Sequence, residues 1–196
     1  MAEVVLFHHV LGLTEGVQSF AQTLRDNGHA VHTPDLFEGR RPGTIEEGVQ
    51  LVRDVGDDRL VEMAQRALLT LPANLVYAGF SFGAGLAQQF TQTRAGARGA
   101  LLYESCMPIT GEWAFGPWPD GVPVQIHGKD HDPYFALSSD LEAARELVQH
   151  VGPSLAELFL YPGNEHLFAD SSLASFDAGA AALLTQRSLE FLSRLR

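Results

Sequence analysis

A serine set between two glycines is the first place where this sequence could do chemistry. Residues 79–83 read Gly-Phe-Ser-Phe-Gly, a G-x-S-x-G pattern that places a serine in a sharp turn between a strand and a helix. An apolar run over residues 75–78 precedes the motif, and an apolar helical pattern over residues 84–90 follows it. The glycines are needed because side chains there would collide with the neighbouring strand and helix. We therefore predict that Ser81 is a nucleophile at the C-terminal edge of a sheet.

A serine hydroxyl is a weak nucleophile unless a base accepts its proton, and the base needs an acid to hold its tautomer. Two later loops, each after a predicted strand, supply these groups in the order acid and then base. Residues 127–133 read His-Gly-Lys-Asp-His-Asp-Pro, and residues 162–168 read Pro-Gly-Asn-Glu-His-Leu-Phe. We expect His166 to act as general base and then as general acid to the leaving group.

The acid that holds His166 has more than one candidate in the sequence. We predict Asp130, because it lies three residues beyond His127, where the turn can still aim back at the sheet edge. Asp132 competes for the same role. Glu165 is a weaker candidate, since its adjacency to His166 points its side chain elsewhere.

An oxyanion hole needs two N–H donors aimed at the developing negative charge. The backbone N–H of Phe82, the residue after the nucleophile, is one predicted donor. The loop over residues 8–12 follows the first strand, and we expect the Val10 N–H to be the other donor, with the His9 side chain close to the pocket. Five aromatic residues are candidates for an apolar substrate pocket: Phe37, Trp113, Trp118, Tyr134 and Phe135.

Apolar, β-rich runs alternate with helical patterns along the chain. Strands are predicted over residues 3–7, 30–33, 75–78, 100–103, 122–126 and 157–161. Helices are predicted over residues 14–27, 44–69 with a break near Gly56, 84–90, 140–150 and 176–195. Nearly all-apolar strands separated by helices indicate the α/β class, with a mostly parallel central sheet and helices on both faces. No repeat or linker interrupts the pattern, so we predict a single domain over residues 1–196.

Charge and composition restrict the partners. A formal net charge of −11 argues against nucleic acid and anionic membranes. No apolar run is long enough to span a bilayer, and the first seven residues indicate a strand rather than a signal peptide. The single cysteine, Cys106, fits a cytoplasmic location. We expect a monomer or homodimer that binds a small molecule.

The sequence offers little support for a cofactor or a metal. No G-x-G-x-x-G follows the first strand, so a dinucleotide is not expected. The histidine pairs lie at different strand ends without a third ligand in pattern, so no metal site is predicted. Cys106 lacks the tight-turn context of Ser81, which favours a small packed thiol over a nucleophile.

With these residues assembled, the chain resembles the dienelactone hydrolase family of α/β-hydrolases over nearly its whole length. The resemblance rests on residues 9–13, 33–37, 79–84, 128–131, 166–169 and 187–192. It implies the α/β-hydrolase fold, a catalytic triad of Ser81, Asp130 and His166, and oxyanion donors at Val10 and Phe82.

Three departures from the family pattern concern the substrate. The best-known members use a cysteine where this chain has Ser81, and a glutamate where it has His9. They also bind the substrate carboxylate with arginines, one of them four residues after the catalytic histidine, where this chain has Asp170. Arg40 and Arg41 could replace that arginine, although a solvated loop is the simpler interpretation. We therefore expect a serine hydrolase that cleaves a small neutral carboxylic ester or lactone.

Two alternatives share these features. One is a ligand-binding or interaction protein that keeps the hydrolase fold without useful turnover. The other is a hydrolase whose substrate is not an ester, such as a small amide or a carbon–carbon bond, because the same triad would serve it.

Overall fold

Six parallel strands form the centre of the computed structural model, which describes residues 1–195. Their order in the sheet is β2-β1-β3-β4-β5-β6. The strands are β1 (Glu3–Phe7), β2 (Ala30–His32), β3 (Val76–Phe80), β4 (Gly99–Tyr103), β5 (Val124–Lys129) and β6 (Ala156–Tyr161). The helices are α1 (Glu15–Asp26), α2 (Ile45–Val55), α3 (Asp57–Leu68), α4 (Phe82–Thr93), α5 (Asp140–Val151) and α6 (Ala178–Arg194). The predicted α/β class and parallel sheet are confirmed.

Helices cover both faces of the sheet because alternate strand residues point to opposite sides. Val5 and Phe7 of β1 face a core shared with α3, α4 and α5. Val4 and Leu6 face a second core shared with α1 and α6. None of the helices within residues 1–195 is long and apolar enough to cross a membrane.

The predicted helix starts at Thr14 and Thr44 have a local cause. Each threonine hydroxyl accepts a backbone N–H three residues later, which satisfies a donor that the first helical turn leaves unpaired. The Glu47 carboxylate accepts from the Gly43 amide. In a capping box this carboxylate would accept the N–H of Thr44 itself, so the second hydrogen bond of the box is displaced by one residue. Gly56 has a φ of 86° and separates α2 from α3, as the sequence predicts.

Strand β5 runs three residues further than predicted. The sequence suggests an end at Ile126, but residues 127–129 continue the pairing with β6 up to Tyr161. Position 128 of this extension has room only for glycine, because the Phe135 ring packs directly on it, 2.2 Å from where a Cβ would lie. The loop that supplies the predicted acid therefore begins only after Lys129.

Candidate active site

Ser81 lies in a strained turn between β3 and α4. Its φ is 50°, in the left-handed region, and its N–H donates to the Tyr103 carbonyl at 2.7 Å. A Cβ on Gly79 would lie 2.0 Å from the Gly83 carbonyl oxygen, and one on Gly83 would lie 2.4 Å from the Phe7 carbonyl oxygen. Both glycines are therefore required by the close approach of backbone to backbone.

A continuous hydrogen-bonded chain connects Ser81, His166 and Asp132. The Ser81 hydroxyl donates to His166 Nε2 at 2.9 Å, and His166 Nδ1–H donates to Asp132 Oδ2 at 2.7 Å. A carboxylate can only accept, so Nδ1 holds the proton and Nε2 keeps its lone pair for the serine. The second carboxylate oxygen of Asp132 accepts from the Tyr134 amide at 2.8 Å, which fixes its direction. This is the arrangement in which an imidazole can remove a proton from a hydroxyl.

The predicted position of Asp130 is wrong. Its side chain is 38% exposed and accepts from the Gly163 amide and from His131. The cause is the extension of β5, because the Asp130 N–H still bonds to the Tyr161 carbonyl at the sheet edge. The chain turns toward His166 only two residues later, at the alternative candidate Asp132, which is fully buried.

The charges around His166 favour its protonated form. Burial alone would lower the pKa of His166, but the hydrogen bond to Asp132 and the charges of Glu104, Asp132 and Asp140 raise it above its usual value. The imidazole is therefore a stronger base than an exposed histidine, and it loses its proton at a higher pH.

The backbone amides of Phe82 and Val10 are the predicted oxyanion donors. Phe82 is the first residue of α4, and its side chain packs in a small apolar cluster with Val10, Leu11 and Leu167. Within residues 1–195, the Val10 and Phe82 amides donate no hydrogen bond. Their role as oxyanion donors stays a prediction.

A cleft of about 410 Å³ opens beside Ser81. One wall comes from α3, with Asp57, Leu60 and Val61, and the other comes from the loop after β4. That loop contributes Met107, Trp113 and Phe115 to the lining. None of the described residues that line the cleft is lysine or arginine.

The model of the dienelactone hydrolase family matches residues 1–195. The chain belongs to this family. It is accordingly a hydrolase that acts on ester bonds. Comparison with curated protein sequences gives no significant match.

Solved structures with the same fold include other proteins described as dienelactone hydrolases. One from Klebsiella pneumoniae is 18% identical, with a TM-score of 0.77 over 99% of this chain and 87% of its own. A dienelactone hydrolase-like promiscuous phosphotriesterase from metagenomic libraries is 16% identical, with a TM-score of 0.75 over 100% of this chain and 87% of its own. A Xanthomonas campestris protein of the α/β hydrolase superfamily is 20% identical, with a TM-score of 0.67 over 99% of each chain.

In this member of the dienelactone hydrolase family, His9 and Asp170 bind each other. His9 is buried, and its Nε2–H donates to Asp170 at 2.8 Å while its Nδ1 accepts the Leu11 amide. Asp170 also accepts from Thr14 and Ser172, and although burial opposes it, these hydrogen bonds lower the pKa of Asp170 to about 2. The predicted place of His9 at the pocket is wrong. The pair instead ties the loop after β1 to the segment that follows His166.

This network predicts an acid-sensitive contribution to stability. The depressed pKa of Asp170 means that its contribution is complete above its unfolded pKa of about 4 and is lost as pH falls through about 2. We expect Asp170→Asn to lower the free energy of unfolding by about 2 kcal/mol at pH 7. The difference from wild type should shrink as the pH falls below about 5. Urea unfolding across this pH range measures it.

Exposed Asp120 is the matched control, and Asp120→Asn should leave the free energy of unfolding nearly unchanged at every pH. Equal effects of the two substitutions would contradict a stabilising role for the Asp170 network.

The predicted pocket aromatics divide into two groups. Trp113 lines the cleft, and the Tyr134 ring lies 4.8 Å from the His166 ring. The other three belong to the core instead of the pocket: Phe37, Trp118 and Phe135. Phe37 stacks on Phe82, and the Trp118 indole N–H donates to the Val122 carbonyl. Phe135 packs on Gly128.

Several residues of the cleft have no signal of their own in the sequence. Asp57 and Val61 belong to an ordinary amphipathic helix, and Ser105 follows β4 without a motif. Phe115 could have been found, because it lies two residues after Trp113 in the loop after β4.

Arg40 and Arg41 do not line the cleft beside Ser81, so neither is placed there to bind a substrate carboxylate. Arg40 donates to the Phe37 carbonyl, and Arg41 pairs with Asp35 at 3.1 Å. Both stabilise their own loop.

The environment of Cys106 in this family member is that of a packed thiol. Its thiol is buried, and burial raises its pKa above the usual range, with the charges of Asp140 and Glu146 adding to the effect. A thiol that stays protonated is a poor nucleophile.

Proposed function

We propose that the protein is a serine hydrolase that cleaves a small neutral carboxylic ester or lactone through an acyl-enzyme at Ser81. The observation that supports this most is the hydrogen-bonded chain from Ser81 through His166 to Asp132, with contacts of 2.9 and 2.7 Å. It gives the hydroxyl a base, and it gives the base the correct tautomer.

The reaction would proceed in two halves. Ser81 Oγ attacks the ester carbonyl while His166 Nε2 takes its proton, and the Val10 and Phe82 amides donate to the negative oxygen that forms. The bond to the leaving oxygen then breaks, and His166 Nε2–H protonates that oxygen. Water, deprotonated by His166, attacks the acyl-enzyme. The acid leaves as Ser81 recovers its proton from His166.

Asp132 would stabilise the imidazolium that exists during both halves. Its carboxylate is fully buried and faces Nδ1–H directly, so its attraction to the charged ring is weakly screened. The Tyr134 amide keeps this carboxylate in place while the ring changes charge.

The cleft supports a neutral acyl group. Asp57 and Asp58 line one wall, while Trp113 and Phe115 add apolar surface. A substrate carboxylate would find no cation there among the described lining residues, and it would approach a protein with a net charge of −11.

Hydrolysis of p-nitrophenyl butyrate and of the p-nitrophenyl monoester of succinic acid tests both parts of this proposal. The two acyl chains have the same length and differ by a carboxylate. We expect measurable turnover of the butyrate and a kcat/KM at least about tenfold lower for the succinate. Rates equal to those of buffer would overturn the esterase proposal. Faster turnover of the succinate would overturn the neutral substrate class alone.

Gly48 of α2 provides a test of how the Val10 loop is positioned. Replacing glycine with alanine inside a helix normally stabilises a protein by about 1 kcal/mol. At Gly48 a Cβ would lie 2.3 Å from the Val10 carbonyl oxygen, so the helix or the loop must move. We expect Gly48→Ala to lower the free energy of unfolding by about 1–3 kcal/mol and to reduce kcat for p-nitrophenyl butyrate.

Gly179→Ala in α6 is the control, because the nearest atom to its Cβ would lie 3.5 Å away. That variant should be at least as stable as wild type and should keep wild-type kcat. If urea unfolding and kinetics make the two variants indistinguishable, Gly48 does not position the Val10 loop.

A further inference from the structure

Glu104 is a buried acid for which the proposed reaction has no role so far. It directly follows β4, and only 1% of its surface is exposed. One carboxylate oxygen accepts the Phe168 amide at 2.9 Å, in the loop that contains His166. The other oxygen, Oε2, is buried without a hydrogen-bond partner among the described residues. An unpaired buried carboxylate oxygen is costly, which indicates a function beyond packing.

This acid lies against the base and acid of the proposed triad. A carboxylate oxygen of Glu104, one of Asp132 and a ring nitrogen of His166 all lie within 4.8 Å of one another. Glu104 and Asp132 follow adjacent strands, so the two carboxyls reach the imidazole from neighbouring positions at the sheet edge. Both ring nitrogens already have partners in Ser81 and Asp132, so a charge interaction is the contact that remains for Glu104.

The titration of Glu104 is coupled to that of His166. Burial raises the pKa of Glu104 to about 7, against the opposing charge of His166 and the bond from Phe168, and the charge of Asp132 raises it further. Two other carboxyls act on this pair: the charge of Asp132 acts on both groups, and the charge of Asp140 acts on His166. A positive imidazole therefore favours an ionised Glu104, and an ionised Glu104 favours a positive imidazole.

Backbone strain is concentrated at the same place. Four non-glycine residues within residues 1–195 have positive φ, and three of them belong to this site: Ser81, Glu104 and Leu167. Each such conformation is strained and persists only where the surroundings enforce it. Glu104, with a φ of 62°, occupies a conformation that glycine would adopt with less strain.

We propose that Glu104 is a positioning residue for His166, a second carboxylate that supports the imidazolium beside Asp132 and maintains it partly when Asp132 is neutralised. This inference rests on the proposed hydrolase function. Glu104 would act through His166 by charge and through the Phe168 amide by holding the loop, without touching the substrate.

The pH profile of Glu104→Gln separates the charge from the loop contact. Glutamine keeps an oxygen for the Phe168 amide and loses the charge. We expect the acidic limb of kcat/KM for p-nitrophenyl butyrate to move about 0.5–1 pH unit lower, because His166 then loses its proton at lower pH. If the acidic limb of the kcat/KM profile does not move, Glu104 has a structural role only.

A double-mutant cycle with Asp132→Asn tests whether Glu104 supports the imidazolium when Asp132 is neutralised. Glu104→Gln should reduce kcat at least about tenfold more in the Asp132→Asn background than in wild type. Equal effects in both backgrounds would overturn the inference. If the wild-type protein itself did not hydrolyse the ester, the proposed function would be overturned instead. The two failures are therefore distinguishable.

An NMR titration of His166 in the wild-type protein covers the case in which the variants do not fold. The ring signals should move in two steps, one of them with the ionisation of Glu104 near pH 7. A single step would contradict the coupling.

Discussion

Ser81→Ala is expected to lower kcat for p-nitrophenyl butyrate by about 10⁴-fold or more, to a rate close to that of the buffer. The reason is that His166 would then have no hydroxyl to deprotonate, while the cleft and the amides of Val10 and Phe82 remain. Alanine fits the space of serine, so the fold should be kept, and circular dichroism with urea unfolding checks this. Steady-state kinetics measures the loss.

Ser193→Ala is the control for that experiment. Ser193 is exposed on α6, and its hydroxyl donates to the Glu190 carbonyl. This variant should keep wild-type kcat. If Ser81→Ala retains more than about a tenth of the activity, the nucleophile is another group.

Asp132→Asn is expected to reduce kcat by about 100-fold or more, while Asp130→Asn stays within about twofold of wild type. An amide at position 132 removes the charge that stabilises the imidazolium. It also offers an N–H donor that favours the wrong tautomer of His166. At position 130, asparagine keeps an oxygen for the Gly163 amide, and the site is exposed. The two positions are two residues apart, so this is a closely matched pair.

Steady-state kinetics at the pH optimum of each variant measures the loss of kcat in Asp132→Asn and in Asp130→Asn. Equal losses would mean that the hydrogen bond between His166 and Asp132 does not serve catalysis. A larger loss at Asp130 would restore the acid that the sequence favoured.

The sheet and the serine turn follow from local patterns. Apolar runs alternate with capped helices, and the glycines at positions 79 and 83 are required by contacts with near neighbours in the same β-α unit and the adjacent β1. Such features leave a signal in a short stretch of sequence, and the parallel sheet then brings the strand ends together.

The choice between Asp130 and Asp132 depends on tertiary contacts that no short stretch contains. The end of β5 is fixed by pairing with β6, up to Tyr161, and by the Phe135 ring on Gly128. A shift of three residues in the strand end changes which carboxylate faces His166.

The sequence predicts the pocket less well for a related reason. Aromatic residues serve equally in a core and in a cleft, so composition could not separate Phe37 and Trp118 from Trp113. The α3 wall comes from a distant part of the chain, and its exposed acids resemble those of any helix N-terminus. Only the packed structure places that helix beside Ser81.

Covalent labelling by a fluorophosphonate tests the central claim most directly, because the reagent phosphonylates a serine only when a base activates it. After digestion, mass spectrometry should find the phosphonyl adduct on the peptide that contains Ser81, in wild type but not in Ser81→Ala. A wild-type protein that stays unlabelled under conditions that label a control esterase, or one labelled at another residue, would contradict the account.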